Sequence, residues 1–312
     1  MKKIFVLIVS ALMLSLGVLA VNVEDEAYYA KFKDQKITLN VYNWGEYISD
    51  GSEDSLDIIS EFEEHTGINV NYTTYETNED LYAKLSSSNS KYDIIIPSDY
   101  MIARMIDEDM LEKLDYENIP NIKFIDEKYH KTDFDPEGAY SVPYTWGTVG
   151  VIYNTKYVDK ADLGSWDLLW NEKYAGKILM FSNSRDAFGV ALKKLGYSLN
   201  TTDENEIKEA AEELKKQKSV VQAYVMDMVF DKMESESAHI ATYYAGDCQT
   251  MMNTNPNLAF YYPKEGYNIF IDSVCIPKGA QNKEAAEAFI NFLCETEVAK
   301  ANSEYICYFT PQ

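Results

Sequence analysis

Acidic and aromatic residues fall together at several short stretches of this sequence, and what they could do chemically is bind a cation. Tyr42-Asn43-Trp44-Gly45-Glu46-Tyr47 sets an acid between rings. Ile96-Pro97-Ser98-Asp99-Tyr100 and Tyr243-Tyr244-Ala245-Gly246-Asp247 mix the same residue types. Asp272 lies inside Phe270-Ile271-Asp272-Ser273-Val274-Cys275-Ile276, a largely apolar run in which a carboxylate costs free energy unless it is paired. Carboxylates supply countercharge, and ring faces both attract a cation and pack against its hydrocarbon. The whole chain leans the same way. Its 312 residues carry 28 Lys+Arg against 51 Asp+Glu, a formal charge of −23, with 25 Tyr, 13 Phe and 4 Trp. Nucleic acids and anionic lipid surfaces need the opposite sign, so neither is an expected partner.

Other chemistries have little to work with. Cys248, Cys275, Cys294 and Cys307 show no C-x-x-C spacing, and His65, His130 and His239 are far apart, so no metal site or Cys/His nucleophile is expected. One disulfide is compatible with an oxidising compartment. The sequence lacks G-x-S-x-G, H-E-x-x-H and a glycine-rich phosphate loop. No catalytic residue and no cofactor is expected.

The elements that must position these residues alternate between strand and helix. Strands are expected at 37–42, 68–75 and 92–97, with helices at 54–64, 78–87 and 101–110, a βαβαβα order that argues for a doubly wound α/β lobe. A second α/β region follows, with strands near 149–153, 177–181, 240–244 and 258–262 and helices near 185–195 and 204–216. A further strand at 270–276 and helix at 284–294 close the pattern. The stretches near 141–147 and 270 read as two crossings between lobes, and ligands of such sheets bind beyond the carboxyl ends of the strands.

At the N-terminus, Lys2 and Lys3 precede an apolar run from Ile4 to Val21, with the small residue Ala20 near its end. That reads as an export signal, 1–20, either cleaved or kept as an anchor, followed by a polar tether, 21–36. Without residues 1–20 the net charge is −25.

The four loop motifs above, the last continuing to Pro277, make five with Ser141-Val142-Pro143-Tyr144-Thr145-Trp146-Gly147, and together they resemble the polyamine (spermidine/putrescine) substrate-binding proteins of ABC transporters over about residues 37–311. The resemblance implies a two-lobed, periplasmic-binding-protein-like α/β fold, with 37–146 and 271–312 as one lobe and 147–270 as the other. It implies an extracytoplasmic monomer that captures putrescine or spermidine and delivers it to membrane permease subunits, without enzymatic activity. It carries ligand contacts onto Trp44, Glu46, Tyr47, Ser98, Tyr100, Asp186, Tyr244, Phe270 and Asp272, with Tyr244 acting through its ring. A family acid falls on Asn183, and family members run on past the position of Gln312 into further helices that cross back to the second lobe. Structural duties compete for several of these residues. Trp44 suits core packing with Glu46 simply exposed, Asp186 suits a first-turn helix acid, and Ser98 suits an N-cap. Asp227 reads as a solvated acid or a reserve ligand. A receptor of the same fold for another small solute, and a hydrolase using Glu46 and Asp272 as paired carboxylates, remain as alternatives.

Overall fold

The computed structural model describes residues 21–87 and 91–312. The expected export signal therefore lies outside the described residues. Its elements run α1 (Glu26–Ala30), β1 (Thr38–Trp44), α2 (Ile58–Thr66), β2 (Asn69–Tyr75), α3 (Asn78–Ser86), β3 (Ile94–Ile95) and α4 (Asp99–Asp107). The long β4 (Ser141–Asn154) leads to β5 (Ile178–Phe181), α5 (Ser184–Lys194), α6 (Glu204–Gln217), β6 (Val221–Val225), α7 (Val229–Glu234), β7 (Ile240–Tyr244), α8 (Ala245–Thr254) and β8 (Leu258–Tyr261). Last come β9 (Ile269–Cys275), α9 (Lys283–Leu293) and α10 (Thr296–Ile306).

Local chemistry sets these boundaries. β1 buries every second residue, Leu39, Val41 and Asn43, as a two-residue period demands. α2 opens on Asp57, whose side chain accepts from the Ser60 N–H, and closes on Gly67 at φ 71°, a left-handed stop that favours glycine. α5 opens on Asn183, which accepts from the Asp186 N–H.

Two half-sheets share one connecting strand. In the first half β2, β1 and β3 run parallel, and β9 joins β3 antiparallel. In the second, β6, β5 and β7 run parallel and β8 lies along β4. β4 belongs to both, pairing β9 through Thr148 and β7 from Val149 onward. Each half is thus a parallel trio completed by antiparallel strands, a mixed version of the doubly wound expectation. The carboxyl ends of β1, β3, β5 and β7 face the ground between the halves, where β4 and β9 cross.

Several local expectations need correction. Residues 21–36 are not a free tether: Tyr29 and Phe32 are fully buried, and the Tyr29 hydroxyl donates to Glu295 Oε1 at 2.8 Å. Their polar neighbours masked two aromatic anchors. The strand expected over 92–97 shortens to two residues, Ile94–Ile95. β6, α7, α8 and α10 were not expected. All four cysteines are free thiols.

Candidate functional site

A cavity of about 460 Å³ lies between the halves, a size suited to a small organic ligand. All nine residues named from the resemblance line it: Trp44, Glu46, Tyr47, Ser98, Tyr100, Asp186, Tyr244, Phe270 and Asp272. Its described lining holds seven carboxylates (Glu46, Asp99, Asp133, Asp186, Asp227, Asp247 and Asp272) against one cationic side chain, Arg185. Nine aromatic rings share the wall, adding Phe134, Phe230, Tyr243 and Tyr308 to the five expected.

The first-half wall is built from strand ends. β1 delivers Trp44, whose indole Nε1–H donates to the Ile96 carbonyl at 2.9 Å and whose ring leans on Tyr75 at 4.6 Å. Packing and cavity lining are therefore both true of Trp44. Glu46 follows with φ 49°, a left-handed conformation that costs a non-glycine residue free energy and turns the chain sharply at the cavity rim. Gly45 beside it leaves room for the opposite wall: a Cβ there would meet Asp227 Oδ2 at 2.3 Å and push that carboxylate aside. Asp227 is thus a lining acid rather than one facing bulk solvent alone. Ser98 occupies the N-cap position of α4 without making a side-chain cap bond, and it pairs as an isolated bridge with Asp272. Tyr100 is the second residue of α4, and its hydroxyl donates to Glu79 Oε1 at 3.1 Å.

Asp272 sits on β9, 4% exposed. Its Oδ2 accepts from the Tyr47 hydroxyl at 2.6 Å, and that hydroxyl also contacts Thr145 Oγ1. Its Oδ1 is buried with no hydrogen-bond partner. Burial pushes this carboxyl up to about 7, offset only in part by Ser98 and Tyr47. A purely structural buried acid looks different. Asp135 takes N–H bonds from Ala139, Tyr140 and Ser141 and the Ser141 hydroxyl, using both oxygens.

The opposite wall holds Asp186, in the first turn of α5. Its Oδ2 accepts from the Tyr244 hydroxyl at 2.7 Å and Asn183 Nδ2 at 2.9 Å, and its Oδ1 from Asn268 Nδ2 at 3.3 Å. Burial raises it to about 6 against the opposing hydrogen bonds from Tyr244 and Asn268. Asn183, where the resemblance placed an acid, is the helix cap that steadies Asp186. Tyr244 does more than present a ring, for its hydroxyl is committed to Asp186. That ring stands edge-on to Phe270 at 5.2 Å. Arg185 reaches across the cavity, its guanidinium 5.1 Å from the Tyr100 ring centre.

Of the lining residues not named as contacts from the sequence, Asp247 and Tyr308 bear most on the site. Asp247, at the start of α8, is pushed up to about 8 by burial, and its Oδ2 accepts from the Tyr308 hydroxyl at 3.0 Å. Tyr308 packs edge-on to Tyr47 at 5.0 Å and fills space that only glycine leaves at Gly147 and Gly246. Phe309 pairs with Trp146 through backbone bonds and stacks on its ring at 4.2 Å. Tyr308 thus touches both halves, Tyr47 of the first and Asp247 of the second. Among the described residues no cluster of His, Cys, Asp or Glu could hold a metal ion.

Two half-sheets joined by crossing strands around a lined cavity define a class, the two-lobed solute-binding proteins. The chain belongs to the bacterial extracellular solute-binding protein family, which it matches over residues 57–312. It is 37% identical over 300 residues to the spermidine/putrescine-binding periplasmic protein of Salmonella typhimurium, covering 96% of this chain and 83% of that one. To a putrescine-binding periplasmic protein of Escherichia coli it is 28% identical, over 87% of this chain and 77% of the relative. Among solved structures it superposes on a putative spermidine/putrescine ABC transporter protein from Listeria monocytogenes with a TM-score of 0.83 and 36% identity, covering 88% of this chain and 83% of that one.

Proposed function

We propose that this protein is an extracytoplasmic receptor that captures putrescine or spermidine between its two lobes and presents it to the membrane permease of an ABC importer. The observation that carries the reading is Asp272 Oδ1, a buried carboxylate oxygen without a partner inside an acid-rich, ring-lined cavity. Such an oxygen is expensive to bury, and a ligand ammonium supplies the missing donor and the missing charge together. Polyamine nitrogens, with pKa about 10, are donors only, which matches a lining of acceptors. The methylenes between them need apolar contact, which Trp44, Phe270, Tyr244 and Tyr308 offer. The names of the relatives above support the same ligand class.

Delivery involves no covalent step, so none of the lining carboxylates needs an acid–base role. Ligand bound to both walls favours the closed arrangement over the open one, and the permease reads that difference. The nine residues named from the sequence, with Asp247 and Tyr308, are assigned as ligand contacts, residues 37–146 with 271–312 and 147–270 as the two lobes, and a monomer as the working form. Calorimetric titration of residues 21–312 with putrescine and spermidine tests the assignment. Saturable one-to-one binding of either amine is expected, and heat-silent titrations with both would overturn it.

A further inference from the structure

At the other end of the molecule the N–H of Val21 donates to Glu61 Oε2 at 3.0 Å, with both residues buried. Among the described residues the one cation-forming side chain within 4.0 Å of a Glu61 oxygen is His65, through Nε2. That ring is already shared, for its Nδ1 lies 2.6 Å from Glu26 and its Nε2 3.2 Å from the Val21 carbonyl. A neutral amide and a shared imidazole compensate a buried carboxylate poorly. The next donors continue the pattern: the Asn22 N–H reaches Glu297 Oε2 at 3.1 Å, and the Glu24 N–H reaches Glu295 Oε2 at 3.1 Å. Three backbone nitrogens in four residues thus meet side-chain carboxylates from α2 and the start of α10. In the sequence Val21 directly follows Ala20, with Val18 two before it, the small-residue spacing that a signal peptidase reads.

We propose that Glu61 is a built seat for the α-ammonium that cleavage of the expected export signal after Ala20 leaves on Val21. Hydrolysis consumes one water, its hydroxyl going to the Ala20 carbonyl and its hydrogen to the Val21 nitrogen. The new acid's proton then passes to the amine, leaving a carboxylate on the departing peptide and an ammonium on the protein. The uncut chain offers Glu61 a neutral amide at the same place, whereas the cut chain offers it a full charge. Processing and docking of the N-terminal segment are in this way one event, independent of what the cleft binds.

Expression of the full chain in a bacterial host, followed by N-terminal sequencing and intact mass of the exported product, should give Val21 as the first residue. A retained leader or a different first residue overturns the proposal. The product is then treated at pH 7 with an amine-acylating reagent, under which an exposed α-amine reacts ahead of lysines. Val21 should react at least about tenfold more slowly in the folded than in the unfolded protein, and Glu61→Gln should remove much of that protection. Equal rates in folded and unfolded protein overturn the seat. A second variant keeps Glu61 and adds Gly-Ser before Val21, which displaces the charge. Its thermal midpoint should fall by about 2–4 °C, and an unchanged midpoint overturns the seat without appeal to the Glu61 variant.

Discussion

The two walls of the cleft hold their principal carboxylates in opposite ways. Asp186 has donors on both oxygens from Tyr244, Asn183 and Asn268, whereas Asp272 has the Tyr47 hydroxyl on Oδ2 and, with Ser98 close by, no well-formed hydrogen bond on Oδ1. The Asp186 wall is complete before ligand arrives, so a ligand ammonium there joins an existing network. The Asp272 wall is incomplete, so a ligand ammonium there relieves a standing cost. Affinity should therefore be unequal between the walls, although the principal acid of each is buried.

The largest effect should come from Asp272→Asn, which keeps the shape and removes the countercharge. It should weaken spermidine binding by about 2–5 kcal/mol, measured calorimetrically. Asp186→Asn should cost less, because its three donors lose their acceptor only in part. Equal losses in the two variants would break the comparison. Ligand charge probes the same asymmetry from the other side. Putrescine can satisfy both walls and butylamine only one, so putrescine should bind at least about a hundredfold tighter, or roughly 2.7 kcal/mol. Competition binding at fixed ionic strength measures the ratio, and near-equal affinity would show that one wall carries the whole recognition.

Protons offer a smaller and more diagnostic lever. The folded, empty protein holds Asp272 at about 7 and Asp186 at about 6, both raised by burial above the ordinary carboxylate value. Folding then favours the protonated form, so these groups contribute stability to the empty protein that fades as pH rises from about 4 towards 7. Ligand affinity runs the other way, since an ammonium competes with those protons. Below about pH 7, polyamine affinity should fall by up to about 1.4 kcal/mol per pH unit for Asp272 alone. Titrations at pH 6, 7 and 8 test the slope: Asp272→Asn should reduce it below pH 7, Asp247, held at about 8, should keep the part nearest pH 8, and Asp186→Asn should leave most of it.

How much of this was legible in the sequence depends on whether a residue's role is local. Strong periodicity gave β1, α2, β2, α5 and α6 within a few residues, because burial alternation and caps are written into neighbouring positions. β6 was missed since its alternating Gln222 and Tyr224 are exposed, leaving little apolar signal, and α10 because its polar residues outnumber the buried Val298 and Ile306. The nine site residues all reach one cavity, yet the resemblance, rather than spacing, brought them together. Tyr308 had no local mark at all, since its meaning comes from Asp247, 61 residues away. The unpaired oxygen of Asp272 was half legible: an acid in an apolar strand signals a cost, but only the fold shows which of its oxygens stays unsatisfied.

The smallest expected effect is at Tyr244, and it separates ring from hydroxyl. From the sequence alone the ring carries the contribution, so Tyr244→Phe should be nearly silent and Tyr244→Ala should cost about 1–2 kcal/mol. The structure adds a second duty, because the Tyr244 hydroxyl donates to Asp186 Oδ2 at 2.7 Å. Losing that donor leaves Asn183 alone on the same oxygen, and a hydrogen bond to a charged acceptor has a net worth of about 1.5–3 kcal/mol. That bond is internal and present with or without ligand, so its loss acts on binding chiefly by letting the Asp186 carboxyl rise, and Tyr244→Phe should weaken putrescine binding by about 1 kcal/mol below pH 7 and by less at pH 8. Its pH profile is the sharper readout. Removing a donor that holds the Asp186 carboxyl down should move the acidic limb of binding to higher pH, whereas loss of packing alone would lower affinity equally at every pH. A Phe variant with wild-type affinity and an unmoved acidic limb would mean that Asp186 does not depend on Tyr244, and the wall described as complete would have to be completed by the ligand instead.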